Sequence, residues 1–259
     1  MTLRLRQICL VAAGLEPAVS TLCSVLGTVV CYMDPHVAKY GLVNALMPIG
    51  NTFLEVVAPT ETGTAAGRYL DRRGGEGGYM VILDCDAIEP WVPHLAGVEV
   101  RVANDLVYPG AYRGLQLHPR DTGGALLEIN HSHDGVWDGP YHPAGPRWAG
   151  AFGAEAEDAI VAAELQSPDP ARLAARWSAI LRRPVQKTGD ALLIALDRGT
   201  LRFVLATDGR DEGLGGIDVC IPRHERARIA ARRKDIVEDD GALMMGGIRV
   251  RLVPPPSHA

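Results

Sequence analysis

Residues 51–84 read NTFLEVVAPTETGTAAGRYLDRRGGEGGYMVILD. The pattern predicts a strand over Thr52–Val57, an amphipathic helix over Thr64–Arg73, a glycine stop and a second strand over Tyr79–Asp84. Thr64 is a residue type whose hydroxyl accepts one of the backbone N–H groups that a first helical turn leaves unpaired. Glu55 stands inside the first strand, among Phe53, Leu54, Val56 and Val57. A carboxylate among aliphatics is unfavourable to bury unless it faces a polar cavity or holds something. Glu128 repeats the situation within GALLEI, residues 124–129.

The same punctuated pattern extends in both directions. A strand is expected over Gln7–Ala12, and Leu15, Val19, Leu22, Val25 and Leu26 fall at helical spacing before Gly27. Strands are expected at Thr28–Tyr32 and Leu42–Pro48, so the first segment reads β-α-β-β-β. After Tyr79–Asp84 come a short helix over Ala87–Leu95 and strands at Val98–Ala103, Gly114–His118 and Ala125–Ile129. Residues 130–158 are rich in Gly, Pro, His and Trp and carry no period. They read as a linker whose Trp137, Tyr141 and Trp148 pack across a surface. Its His131, His133 and His142 are not spaced like a zinc site. Beyond it, Ala159–Leu165 is a strand, Ser167 a helix cap with Pro168 in the first position, and Leu173, Trp177, Ile180 and Leu181 an apolar stripe stopped by Pro184. Strands at Ala191–Leu196, Leu201–Ala206 and Gly216–Ile221, a helix over Glu225–Arg233, and strands at Ala242–Met245 and Ile248–Val253 follow.

Stretches of the two halves align in the same order: Asn51–Val57 with Gly199–Leu205, Gly77–Ile82 with Gly215–Cys220, and Gly124–Ile129 with Gly247–Leu252. The expected fold class is therefore α+β, with four tandem βαβββ modules forming two cupped mixed β-sheets with helices outside. The expected domains are an N-terminal unit over residues 1–130, a linker over 131–158 and a C-terminal unit over 159–259.

Composition narrows the function classes. With 47% apolar residues, a core needs no disulfides, and the five cysteines form no CxxC pair. They read as reduced thiols of a cytoplasmic protein. A net charge of −5 with dispersed cations gives no nucleic-acid footprint. The basic run over residues 228–234 is followed by Glu238, Asp239 and Asp240 and reads as a solvated helix face. Arg4 and Arg6 before ICLVAAGL imitate a short signal peptide, but Glu16 and Pro17 interrupt the run, and no stretch is long enough to span a membrane.

GRYLDRRGGEGGYMVILD followed by LHPRDTGGALLEIN resembles the vicinal oxygen chelate superfamily of glyoxalases, methylmalonyl-CoA epimerases, extradiol dioxygenases and bleomycin-resistance proteins. The likeness is strongest over residues 51–129 and is closest to the epimerase branch. It implies a metal held by residues from the first and last strands of two paired modules. Those positions fall on Gln7, Glu55, Met80 and Glu128. Gln7, Glu55 and Glu128 match the family's donor types and imply a divalent cation (Ni, Co, Mn, Fe or Zn) in an open site. Met80 stands where the family places histidine, and a thioether is a poor ligand for such ions. His118 is the substitute the resemblance suggests, as ligand or acid–base, against a plainer role in a turn. Asn44, Tyr79, Met80 and Arg68 are the expected substrate contacts, with Arg72 and Arg73 near an anionic group or simply solvated. The corresponding C-terminal positions, Ile160, Phe203, Asp218 and Arg251, supply no metal set.

The resemblance leaves two principal functions open. One is a metal-assisted isomerase, epimerase or lyase acting on a small oxygen-rich metabolite or thioester, with Glu55, Glu128 and His118 catalytic. The other is a metal-free small-molecule binding or sequestering protein of the bleomycin-resistance type, walled by Met80, Phe53, Trp137 and Trp148. Extradiol dioxygenase chemistry ranks third, because its usual histidine positions are Gln7 and Met80. The expected partner is a small-molecule ligand or substrate, with no nucleic acid and no membrane, for a monomer or homodimer.

Overall fold

The structure is a computed structural model that describes residues 1–133, 135–150, 158–222 and 224–255. Asp134 and residues 151–157 of the expected linker lie outside the described residues. The first module is β1 (Leu3–Val11), α1 (Leu15–Leu26), β2 (Leu42–Ile49) and β3 (Thr52–Pro59). Helix α2 (Ala65–Arg73) leads to the second: β4 (Gly77–Cys85), α3 (Trp91–Gly97), β5 (Val102–Tyr108), β6 (Tyr112–Leu117), the short α4 (Pro119–Thr122) and β7 (Leu126–Ser132). The third is β8 (Ala159–Ser167), α5 (Pro170–Leu181), β9 (Val185–Thr188), β10 (Ala191–Ala195) and β11 (Thr200–Leu205). The fourth is β12 (Gly213–Cys220), α6 (His224–Arg232), β13 (Glu238–Asp239), β14 (Ala242–Met245) and β15 (Ile248–Val253). One sheet has the order β2-β3-β1-β4-β7-β6-β5 and the other β13-β14-β15-β12-β8-β11-β10-β9. Parallel pairs such as β4–β7 and antiparallel pairs such as β6–β7 make the sheets mixed, as the α+β reading requires.

Local chemistry accounts for most element ends. Thr64 caps α2 by accepting from Gly67 N, and Gly74 ends it in the left-handed region at φ 72°. Pro48 is accommodated inside β2 because β2 is an edge strand, where a missing ladder donor is tolerated.

Four boundaries differ from the sequence reading. Thr28–Tyr32 is not a strand: only Tyr32 makes an isolated bridge, to Leu46, and Val29 and Val30 are exposed. The helix in the third module is capped by Asp169, with Pro170 in its first turn, while Ser167 Oγ accepts from Asp169 N. Helix α3 begins after Pro90 rather than at Ala87, and Glu99 takes φ 55° behind it, so β5 cannot start at Val98. Strands β9 and β13 complete the third and fourth modules.

Close contacts divide the chain into two compact units. The first comprises Met1–Ile8, Tyr79–His142 and Ala162–Leu214, and the second Cys9–Gly78, Pro143–Val161 and Gly215–Ala259. In the first, Arg176 on α5 donates to the carbonyls of Val98, Glu99 and Asp121, fastening the third module to the second. In the second, α1 packs against α6, and Phe53 meets Trp148 edge to face at 5.2 Å between ring centres. Among the described residues, no helix is long and apolar enough to cross a membrane.

Candidate functional site

Strand alternation sorts the residues of β4: Met80, Ile82 and Asp84 share one face, and Tyr79, Val81 and Leu83 the other. Tyr79 and Met80 therefore do not line the same face. Parallel pairing sets Ile82 beside Glu128 and Asp84 beside Asn130, and β6 sets Gln116 beside Glu128 and Tyr112 beside Ser132. The first unit thus brings Met80, Asp84, Tyr112, Gln116, Glu128 and Asn130 onto one face.

These polar groups hold one another. The Tyr112 hydroxyl and Asn130 Nδ2 (3.1 Å) donate to Glu128 Oε1, and Gln116 Nε2 donates to Oε2 at 3.0 Å. Asn104 Nδ2 donates to Gln116 Oε1 at 2.9 Å, extending the network to edge strand β5. At the other end, Tyr141 lies 3.4 Å from Asn130 Nδ2 and donates to Gln7 Oε1 at 2.9 Å. Gln7 and Glu128 are each 3% exposed, so water does not compete for these bonds. Burial pushes the Tyr112 and Tyr141 phenols well above their ordinary range, and the Glu128 charge pushes both the same way. Both are neutral hydroxyl donors at physiological pH.

A resident divalent cation would need carboxylate and amide oxygens with lone pairs to spare. Here hydroxyl and amide N–H groups already point at both oxygens of Glu128 and at Oε1 of Gln7. Met80 adds only a thioether to that face. Among the described residues, no three His, Cys, Asp or Glu side chains gather as a metal-binding group. Gln7 and Glu128 held in this way, with the Met80 thioether beside them, make a poor donor set for the metal that the family resemblance implies.

In the second unit, Asn44 Nδ2 donates to Glu55 Oε1 at 2.6 Å, and Asn44 Oδ1 accepts from Asp34 N at 2.8 Å. Asn44 thereby ties Glu55 to the start of the short 3-10 helix Pro35–Tyr40, and both side chains are buried. The remaining expected site residues are placed elsewhere. His118 caps α4, its Nδ1 accepting from Arg120 N at 3.3 Å, so its position is that of a turn residue. Arg68 is exposed on α2 and donates to the Gly63 carbonyl. Phe203 meets Trp177 of α5 at 5.9 Å between ring centres. The opposite face of β11 carries Arg202, whose Nε lies 3.0 Å from Glu164 Oε2. Cysteine chemistry is unfavourable: burial pushes the Cys31 thiol up to about 11 and Cys85 to about 12. The sequence reading missed Tyr112, Gln116, Asn130 and the site role of Tyr141. The available signal for the first two was the pair of polar residues Tyr112 and Gln116, four positions apart and so on one face of β6.

No family model matches the chain. In sequence it is similar to the mitochondrial methylmalonyl-CoA epimerase of Mus musculus, 28% identical over 131 residues, which are 50% of this chain and 73% of that protein. In structure it is similar to a hypothetical protein from Staphylococcus aureus, with a TM-score of 0.68 and 12% identity over 98% of this chain and 100% of that one. A mutant of 4-hydroxymandelate synthase from Streptomyces coelicolor gives a TM-score of 0.66 and 12% identity over 97% of this chain and 92% of that one. Fold and sequence together show a likeness to the vicinal oxygen chelate superfamily. The chain carries four modules in two mixed sheets, three of them βαβββ and the first, without a strand at Thr28–Tyr32, βαββ.

Proposed function

We propose that this protein binds a small molecule on the Met80–Glu128 face without a metal ion. The observation that carries this reading is the engagement of both Glu128 oxygens by Tyr112, Asn130 and Gln116. A carboxylate held by three donors is a fixed polar floor and not an open ligand or a ready base. Asn130 Oδ1 is buried with no hydrogen-bond partner among the described residues, which leaves an acceptor for a donor group on a ligand. Met80 supplies a polarisable apolar wall on the same face. A thermal-shift screen of metabolites on chelator-treated protein tests this. Stabilising ligands are expected without added metal, and Glu55→Gln is expected to leave their effect intact. Stabilisation only after adding Mn²⁺, Co²⁺, Ni²⁺ or Fe²⁺ would contradict it.

A second reading is favoured by the sequence similarity to methylmalonyl-CoA epimerase. In it, Glu55, positioned by Asn44, takes a proton from the carbon next to a thioester carbonyl and returns it to the other face. Incubating the protein with methylmalonyl-CoA in D₂O tests it directly. Deuterium at that carbon, lost in Glu55→Gln, supports this reading, and no incorporation above the protein-free rate removes it.

A further inference from the structure

Arg4 and Arg6 alternate with Leu3 and Leu5 along β1, and they are 8% and 1% exposed. Burying a guanidinium is unfavourable unless strong acceptors meet it. Arg4 forms an ion pair with Asp84, and the Asp84 charge also acts on Arg6. The Asp138 charge acts on Arg6 as well, and backbone carbonyls also meet both guanidiniums. Arg4 Nη2 donates to the Gly135 carbonyl at 2.7 Å, and Arg6 Nη1 donates to the Trp137 carbonyl. The Trp137 ring lies among three guanidiniums, with Arg6 at 4.6 Å, Arg198 at 4.9 Å and Arg4 at 5.7 Å from its centre. Arg4 Nε is buried and donates to nothing among the described residues. All of these residues belong to the first unit.

Three cations on one tryptophan are more than a linker needs for anchorage. A backbone carbonyl is a neutral acceptor, whereas a carboxylate or phosphate oxygen would take the same donors in charge-assisted bonds, which are about twice as strong. The fork of an arginine also matches such oxyanions two oxygens at a time. We propose that Arg4, Arg6 and Arg198 form an oxyanion-binding site for the carboxylate or phosphate of a small ligand. Residues 135–137 cover that site, with the Gly135 and Trp137 carbonyl oxygens standing where anionic oxygens bind. This deepens the small-molecule reading of the first unit and rests on it, but it does not depend on whether a metal takes part.

The test uses the full chain, with inorganic phosphate and malonate titrated separately at ionic strength held constant with NaCl. A saturable change in tryptophan emission is expected with at least one of the two. It is expected to vanish in Trp137→Phe and to need at least tenfold more anion in Arg4→Gln. Because replacing a buried arginine can unfold the chain, Trp137→Ala provides a second arm. Removing the cover is expected to tighten anion binding at least threefold, read by calorimetry. A response to phosphate alone supports a phosphoryl ligand, and a response to malonate alone supports a carboxylate ligand. No saturable response to either anion, together with no binding heat in Trp137→Ala, overturns the proposal. Metal-dependent ligand binding would overturn the metal-free reading and leave these titrations unchanged, so the two failures are distinguishable.

Discussion

Glu128 has both oxygens engaged by donors of the first unit, Tyr112, Asn130 and Gln116. Glu128→Ala strands those donors, and an unsatisfied buried group costs about 1–3 kcal/mol. The loss expected for this variant is roughly 3 kcal/mol, measured by urea unfolding at neutral pH, and Glu128→Gln should lose less because an amide oxygen can still accept. The phenols Tyr112 and Tyr141 give a pH signature. Their folded values lie well above the ordinary one, so unfolded chains ionise first as the solution becomes alkaline. The unfolded state then binds fewer protons than the folded state, and stability falls once the pH passes about 10. Urea midpoints at pH 9 and pH 11 should show that fall, and the Tyr112→Phe, Tyr141→Phe double variant should reduce it. At this scale the sequence announced Gln7, Glu55 and Glu128, because polar residues in aliphatic strands stand out. It did not disclose their partners: Tyr141 is 134 residues from the Gln7 oxygen it reaches. Arg4 and Arg6 were legible only as an alternation with Leu3 and Leu5, and they resembled a signal-peptide flank instead.

Elements whose ends are written in local chemistry were readable in advance. Thr64, Gly74 and Gly27 cap or stop helices where the pattern says they should. Thr28–Tyr32 was misread because β-branched residues signal a strand only when a neighbouring strand is there to pair with them. Strand β9 gave no alternation to read, since all four of its side chains are exposed and only its pairing with β10 defines it. The β2–β3 hairpin carries the sharpest element-scale prediction. Gly50 turns it at φ 57°, and a Cβ there would come within 1.8 Å of the Asp158 carbonyl oxygen. Gly50→Ala therefore combines left-handed strain, about 1–2 kcal/mol, with a backbone clash that no rotamer relieves. A loss exceeding about 2 kcal/mol is expected in denaturant unfolding, and a variant as stable as the parent would refute the turn geometry.

For the molecule as a whole, repetition made the architecture legible: glycine-led strands recur in the same order in both halves and yield the two mixed sheets. The positions aligned between the halves differ in chemistry, Glu55 being held by a hydrogen bond from Asn44. Phe203 was paired with Glu55, yet Phe203 packs on Trp177 of α5, and Arg202 occupies the other face. Family likeness alone predicts a metal centre, whereas the side chains of the first unit spend their donors and acceptors on one another. Titration of chelator-treated protein with Mn²⁺, followed by the loss of free-ion signal in electron paramagnetic resonance, decides between these most directly. The hydrogen-bonded face predicts no saturable uptake, with wild type and Glu128→Gln indistinguishable. Uptake of one Mn²⁺ per chain, abolished by Glu128→Gln, would contradict it.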